Sequence, residues 1–459
     1  MSAMKKTHGS VSGLLGLRAS CAGVVLVLSV SLAVAQTVGE VDFARGVGFA
    51  QAVGQTPRTL GKGLVLKEGD RLTTTDDSLA VIKMQDGTRM TVRPNSEILI
   101  QQYKFKDADP DNSMVMQLLR GGFRAITGLI SKSSPSAARV VTKTATIGIR
   151  GTDFDARICS TDCKAESAKV SEKPRQNFVL ASAKVVNSQG DISALDGAGV
   201  RRKVVDGGSV YPGETLETGT GAKAVLAFRD DSRMTLGGST RFRVDSFTFD
   251  DQNPKEGRFL VSLLKGSMRA LTGLIGKANN RNVAFTTPTA TIGIRGTGLD
   301  LDCNDDGQSE ACSFYTWLGS VEVTPLGKTD MRVLEAGQGL FVSPSAVRPL
   351  VAPTLQNLQR PDGISIDTKQ LFSATELEDG KEGLFVFVRD GHIEVATVSE
   401  TLHLGRGETG FAGLDGRTAR PVYMPLFLEF DRTPMPNSRN PLAATVLESS
   451  GARSLNICK

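Results

Sequence analysis

The chain has 459 residues, 40% of them hydrophobic and 22% charged, with a formal net charge of +5. That gives room and apolar content for two to four packed domains, and a charge balance that offers no support for nucleic-acid binding. The 49 glycines, against 4 tyrosines and 1 tryptophan, favour short strands and turns over helices and count against an aromatic carbohydrate platform.

In chain order, residues 1–35 read as a signal peptide. Lys5, Lys6 and Arg18 supply positive charge, Ala22–Val34 the apolar run, and Ala33-Val-Ala35 a cleavage site before Gln36. The run is too short for a stable membrane anchor, and Cys21 lies upstream of it, where lipid attachment is not expected. Cleavage removes three basic residues and no acid, leaving +2. The mature chain is expected in the periplasm or outside the cell, without a transmembrane segment.

Two β-domains then follow over 36–198 and 199–343, with alternating runs such as Leu79–Met84 and Ala224–Phe228 ending at Asp-Gly or Asp-Asp turns. Arg201-Arg-Lys203 reads as a solvated linker turn, and Gly190 lies in a linker-like stretch. Residues 344–376, with Pro344, Pro349, Pro353 and Pro361, read as a Pro-rich linker. Residues 377–430 read as a partial β repeat, in which Leu384–Val395 echoes Tyr315–Val323; it is expected to pack on the second domain. Residues 431–459 read as a disordered tail. The fold class is all-β.

The clearest signal is internal. Thr144–Thr152 and Thr289–Thr297 both read TATIGIRGT, 145 positions apart, and the register extends to Arg124–Ile130 against Arg269–Ile275 and to Asp86–Met90 against Asp230–Met234. The chain is a tandem duplication of a domain-sized unit. Within the repeated strand Ala145, Ile147 and Ile149 alternate inward, but past Gly151 the apolar set is Phe154, Ala156 and Ile158. The second copy makes the same switch at Gly296, so one extra residue at Gly-Thr is predicted to form a β-bulge. Gly148 and Gly293 are expected to mark close backbone approach.

Candidate sites are few. Cys159 and Cys163, and Cys303 and Cys312, follow the repeated strand at equivalent places and are expected as local disulfides in an exported chain. The alternative, zinc, would have only His392 and His403 as further ligands, neither near the thiols in sequence. Cys458 is left over. Asp302-Cys-Asn-Asp-Asp-Gly307 fits the start of a calcium loop, with Asp302, Asn304 and Asp306 as ligands; against it, the twelfth place is Ser313, and an acidic turn closed by the disulfide explains the same residues. Calcium is the one candidate cofactor. Arg150, Arg295, Arg124 and Arg269, with Lys132 and Lys277, recur in both copies. They form either a cationic patch for an anionic ligand or structural pairs with carboxylates such as Asp155 and Asp300; the second reading is preferred. No nucleophile–base constellation is present, so no enzyme is expected.

The Asp-Gly-Thr-Arg turn, the strand-end Ser96 and Ser239, Tyr103-Lys-Phe105 and Phe247-Thr-Phe249, Arg-Ala-x-Thr-Gly-Leu-Ile and Thr-Ile-Gly-Ile-Arg-Gly-Thr together resemble the FecR domain family over residues 52–180 and 199–339. The resemblance implies an all-β extracytoplasmic domain, found in membrane-spanning sigma-factor regulators and in other bacterial envelope proteins. A regulator of that kind has an anti-sigma region and a transmembrane helix ahead of the domain, and here only the signal-like segment precedes it. The expected function is a non-catalytic envelope protein that binds a protein or ligand or serves as a structural module. The alternatives are a periplasmic signalling regulator acting through a membrane partner, and a divergent envelope hydrolase.

Overall fold

The computed structural model describes residues 36–133, 137–303, 310–378 and 380–430; the signal peptide and tail expected from the sequence lie outside them. The alternating runs form two 15-stranded sheets, each with its own core. In the second sheet the strand order runs from Arg201–Lys203 through Arg258–Leu271, Val283–Thr286 and Ala290–Cys303 to Cys312–Pro325, Gly339–Val342 and Val347–Leu350. The first sheet repeats this order strand for strand, from Arg58–Thr59 through Ser113–Ile126, Ala138–Val141 and Thr146–Cys159. Its remaining strands, however, are Gly383–Ala396, Thr401–Gly405, Thr409–Gly413 and Thr418–Ala419. The second domain is therefore inserted within the first.

This corrects the expected layout. The partial repeat at 377–430 does not pack on the second domain as a third unit. Gly383–Ala396 pairs antiparallel with Thr146–Cys159 from Thr146↔Ala396 to Cys159↔Gly383, as Cys312–Pro325 pairs with Ala290–Cys303. Leu384, Val386, Val388, Ile393, Val395, Leu402 and Leu404 are buried in the first domain's core. Fully burying one such side chain is worth about 1.5–3 kcal/mol gross, so the seven together contribute roughly 10–20 kcal/mol gross, as large as the whole net stability of a typical domain, roughly 5–15 kcal/mol. Other boundaries move as well. The second sheet begins at Ala183 rather than 199, Arg201–Lys203 is a strand rather than a linker turn, and Val347–Leu350 extends the sheet into the expected linker.

The predicted bulge is present in both copies. Pairing with the next strand slips between Arg150 and Asp153 and between Arg295 and Gly298. Ile147, Ile149, Phe154 and Ala156 are all buried, as are Ile292, Ile294, Leu299 and Leu301. Gly151 and Gly296 supply the left-handed backbone, with φ of 61° and 65°. The bulge threonine is held by the threonine of the neighbouring motif. Thr152 N–H donates to Thr127 Oγ1 (2.7 Å) and Thr127 N–H to Thr152 O (3.0 Å), and Thr297 and Thr272 do the same at 2.8 and 3.1 Å.

The Asp turn clamps that motif from the other side. Leu129 N–H donates to Asp86 O and Leu274 N–H to Asp230 O, while Gly128 N–H reaches Thr88 Oγ1 and Gly273 N–H reaches Ser232 Oγ. A Cβ on Gly128 or Gly273 would collide with the carbonyl of Asp86 or Asp230, so these are the glycines that close approach requires. Gly148 and Gly293 are not; a Cβ there would meet Glu394 or Glu322 at ordinary contact distance. Gly190 is no linker residue either, since it turns with φ 79° against Ala222.

A Gly151→Val substitution forces a β-branched residue into the left-handed region and should cost about 1–3 kcal/mol. Gly197→Val, on an exposed loop with no atom within 4 Å of its Cβ position, should stay within about 0.5 kcal/mol. Denaturant midpoints of the two variants compare them; equal midpoints would contradict the bulge assignment.

Candidate binding cleft at the domain seam

The repeated arginines divide into two kinds. Arg269 lies on Arg258–Leu271 opposite Asp300, donates to it from Nε (2.9 Å), and uses Nη1 on the carbonyls of Leu355 (2.9 Å) and Leu358 (2.6 Å) in the segment after the last strand. Asp300 also accepts from Trp317 Nε1 (2.9 Å), and Arg360 stacks on that indole at 3.8 Å. Arg124 makes a two-bond pair with Asp153 at 3.1 and 2.9 Å. The register puts Arg389 where the second domain has Trp317, and Arg389 donates to Asp155 at 2.8 Å. Burial raises the Asp155 carboxyl above its ordinary pKa, opposed by Arg389, Arg124 and Arg93. Burial likewise raises Asp300, opposed by Arg269.

Arg150 behaves differently. It is not tied to Asp155; its nearest carboxylate is Glu394 of the completing strand, at 3.7 Å, beyond hydrogen-bond distance, and its side chain is 26% exposed. The Arg295 backbone pairs with Ser320, and its side chain lies outside the described residues. Cys159–Cys163 and Cys303–Cys312 are bonded, each at the end of a centre strand. Of the calcium candidates, Asn304 and Asp306 lie outside the described residues. Asp302 is raised by burial and hydrogen-bonds Thr354. Among the described residues no group of three His, Cys, Asp or Glu is placed to hold a metal.

Sequence reading missed what forms at the seam where the completing strands meet the inserted domain. Lys184, on the second domain's opening strand, donates to Glu408 (3.1 Å) and to His403 O (2.8 Å). Arg420 donates to the same Glu408 oxygen (2.9 Å) and the same carbonyl (2.7 Å). All three charged groups are buried. Burial works to raise the Glu408 pKa, but Lys184 and Arg420 outweigh it and hold the carboxylate ionised. Burial lowers Lys184 to about 8, partly opposed by Glu408. Beside them His392 and His403 stack with ring centroids 5.4 Å apart and Nε2 of His392 3.4 Å from Nδ1 of His403, the latter ring packed on Gly207 of the second domain. Burial lowers both pKa values, and each ring's cationic neighbours add to the effect.

Next to this cluster opens a cleft of about 510 Å³ lined from both domains, with Arg150, His392 and Arg406 on one side and Arg202, Lys203 and Tyr211 on the other. Tyr211 is buried; its hydroxyl accepts the Arg406 N–H at 2.7 Å and is pushed up to about 12 by burial, with the Glu408 charge adding. Two guanidinium groups flank its ring, Arg202 at 5.5 Å and Arg406 at 4.6 Å. Such a cleft can hold a group with negative charge. Of the repeated arginines whose side chains are described, only Arg150 lines it.

Removing Arg269 strands the buried Asp300 charge, so Arg269→Ala should cost about 3–5 kcal/mol. Arg150→Ala loses a long, partly exposed pair and should cost within about 1 kcal/mol. Thermal melts read by Trp317 fluorescence for the second domain and by circular dichroism for the whole chain separate the two outcomes.

Comparison with known proteins places the repeats. The family model described as FecR protein matches residues 70–172 and 214–322. No curated protein matches the chain. Two crystal structures of a proposed anti-sigma factor from Parabacteroides distasonis, at 1.65 and 2.50 Å resolution, are similar at 16% identity and a TM-score of 0.24, over 30% of this chain and 57% of that one. The chain thus spans little more than half of that protein's length. The two family matches fall on the two sheets that are equivalent strand for strand: the chain carries two FecR-like domains, the second set within the first.

Proposed function

We infer that this is a non-catalytic, exported envelope protein of the FecR regulatory type, whose two domains act as one binding unit through the cleft at their seam. The observation that carries this reading is the cleft itself. The motif residues Thr127, Thr152, Asp86 and Gly128 interlock as fold, whereas Arg150 opens onto a concave surface shared by both domains. Export is supported by the signal-like segment and by two disulfides, which persist in oxidising compartments. No helix among the described residues is long and apolar enough to cross a membrane. In this reading a signalling role runs through a separate membrane partner, and the FecR matches favour this over a purely structural module. The hydrolase reading gains nothing from the seam, where the two histidines face each other rather than a serine or cysteine.

The test is capture from the envelope. Tagged protein produced in the parent cells should fractionate with the envelope, begin at Gln36, and cross-link to a membrane protein. Arg150→Gln combined with Arg406→Gln should melt as the wild type does and lose that partner. Protein retaining Met1 in the cytoplasm, or a double variant capturing the same partner undiminished, would contradict the reading.

A further inference from the structure

The charges around the cleft are unevenly satisfied. Four cationic side chains, Arg150, Arg202, Lys203 and Arg406, line it against three carboxylates, Asp196, Glu214 and Asp390. Two of the carboxylates are already engaged. Glu214 accepts two bonds from Arg202 (3.0 and 2.6 Å) and one from the Tyr211 N–H (2.9 Å), and Asp196 accepts from the N–H groups of Ala198 and Val200 (2.9 and 2.8 Å). Asp390 is exposed at the rim. On the cationic side, among the described residues Lys203 has only the exposed Asp191 at 3.5 Å and Arg150 only Glu394 at 3.7 Å. Arg406 rests on Tyr211, with no carboxylate partner among the described residues.

The wall carries a second, independent feature. His392 is 9% exposed, lines the cleft, and has its Nδ1 buried without a hydrogen-bond partner among the described residues. A buried polar atom left unpaired costs about 1–3 kcal/mol, and a site for a ligand is one reason such an atom persists. The groups facing the histidine pair are Lys184 from the opening strand of the second domain, Arg150 from the centre strand, Arg202 from the adjacent edge, and Arg420 behind His403, with Glu394 as the nearby acid and Glu408 neutralising Lys184 and Arg420. Burial and these cations disfavour a proton on either imidazole, with Glu394 partly opposing them at His403. An anion among Arg150, Lys203 and Arg406 reverses the local field and favours a proton on the pair, which can be shared across the 3.4 Å His392–His403 contact.

We propose that the seam cleft is a site for a small oxyanion, a carboxylate or phosphate group, whose binding is coupled to uptake of a proton by the His392–His403 pair. The proposal rests on the reading of the seam as the binding site and adds the chemical class of ligand. The sign of the coupling follows from linkage. In the empty protein the histidines have folded pKa values below their unfolded value, so their contribution to stability is complete above about pH 6.5 and is lost as pH falls through the window beneath it. An anion raises the folded values, so it binds more tightly in that same window.

The experiment is isothermal titration calorimetry of the mature chain with sulfate and, separately, with lactate, oxyanions whose own charge does not change between the two conditions, at about pH 7.5 and about pH 5.5, either side of the unperturbed histidine value. Each titration is repeated in two buffers of different ionisation enthalpy. We expect one or both anions to bind, about tenfold or more tightly at the lower pH, with a buffer-dependent heat that reports proton uptake. Arg406→Gln should weaken binding at both pH values. His392→Gln should bind with little pH dependence; if that variant does not fold, His403→Gln, whose ring is less buried, carries the same test. Binding of neither anion, binding equal at both pH values, or pH dependence unchanged in the histidine variants would overturn the proposal. A wild type that binds neither anion yet captures its envelope partner through Arg150 and Arg406 would overturn the oxyanion site and leave the seam as a protein contact. Failure of both would overturn both readings.

Discussion

The first domain and the seam both depend on one strand pairing made across a large gap in sequence. Thr146–Cys159 ends the first run of the first domain, and its antiparallel neighbour is Gly383–Ala396, with Cys159 opposite a residue 224 positions further on. Without that neighbour the strand would present an open apolar edge, and the first core would lack Leu384, Val386, Ile393 and Val395. The second domain needs nothing comparable, because every buried member of its core cluster lies between Ala183 and Val342. Contacts of such long range pay loop-closure entropy before they return any stability. The inserted domain is therefore the unit expected to fold first, its compactness shortening the loop the first domain must close.

The same insertion creates the seam. Strands that complete the first domain lie against the opening of the second, and there Glu408 is held by Lys184 and Arg420 away from water. Buried ion groups of this kind are poor sources of net stability but costly to break apart, since removing one partner leaves an uncompensated charge. Their arrangement favours a single relative placement of the strands that carry them. The cleft, the two flanking guanidinium groups on Tyr211 and the histidine stack all sit within that fixed frame.

Much of the fold was legible in the residues. The parity switch at Gly151 and Gly296 gave the bulge, because a period-two strand cannot keep one face buried past an extra residue without changing parity. The cysteine spacing gave both disulfides. The layout is not legible in the same way, because the Leu384–Val395 echo has the same pattern whichever centre strand it pairs with, and proximity in sequence favours the second. The sequence does carry a signal for the first. The second unit continues from its motif into Tyr315–Val323 and a closing strand, whereas the first stops at Cys159 with no such continuation, so the echo was the missing piece of the first.

The candidate site was less legible for a related reason. Arg150 stood out because it repeats, but His392, His403, Lys184, Tyr211 and Arg406 have no shared motif and are brought together only by the insertion. Sequence alternation shows which face a residue takes within its own sheet and says nothing about which second sheet will lie beside it. The repeated arginines likewise looked alike on paper. Arg269 proved to be locked by Asp300 and two carbonyls, while the Arg150 guanidinium is drawn toward Glu394 of a strand more than two hundred residues away.

The most direct test of the nested architecture is a cross-link across the pairing on which it depends. In mature protein carrying Cys458→Ser, the pair Thr146→Cys with Ala396→Cys should form an intramolecular disulfide on mild oxidation, found by non-reducing peptide mapping of the monomer, since these residues are register partners. The pair Thr291→Cys with Ala396→Cys should not, because Thr291 is opposite Thr324. A link between 291 and 396 with none between 146 and 396 would mean that the completing strands belong to the second domain, and the architecture described here would be wrong.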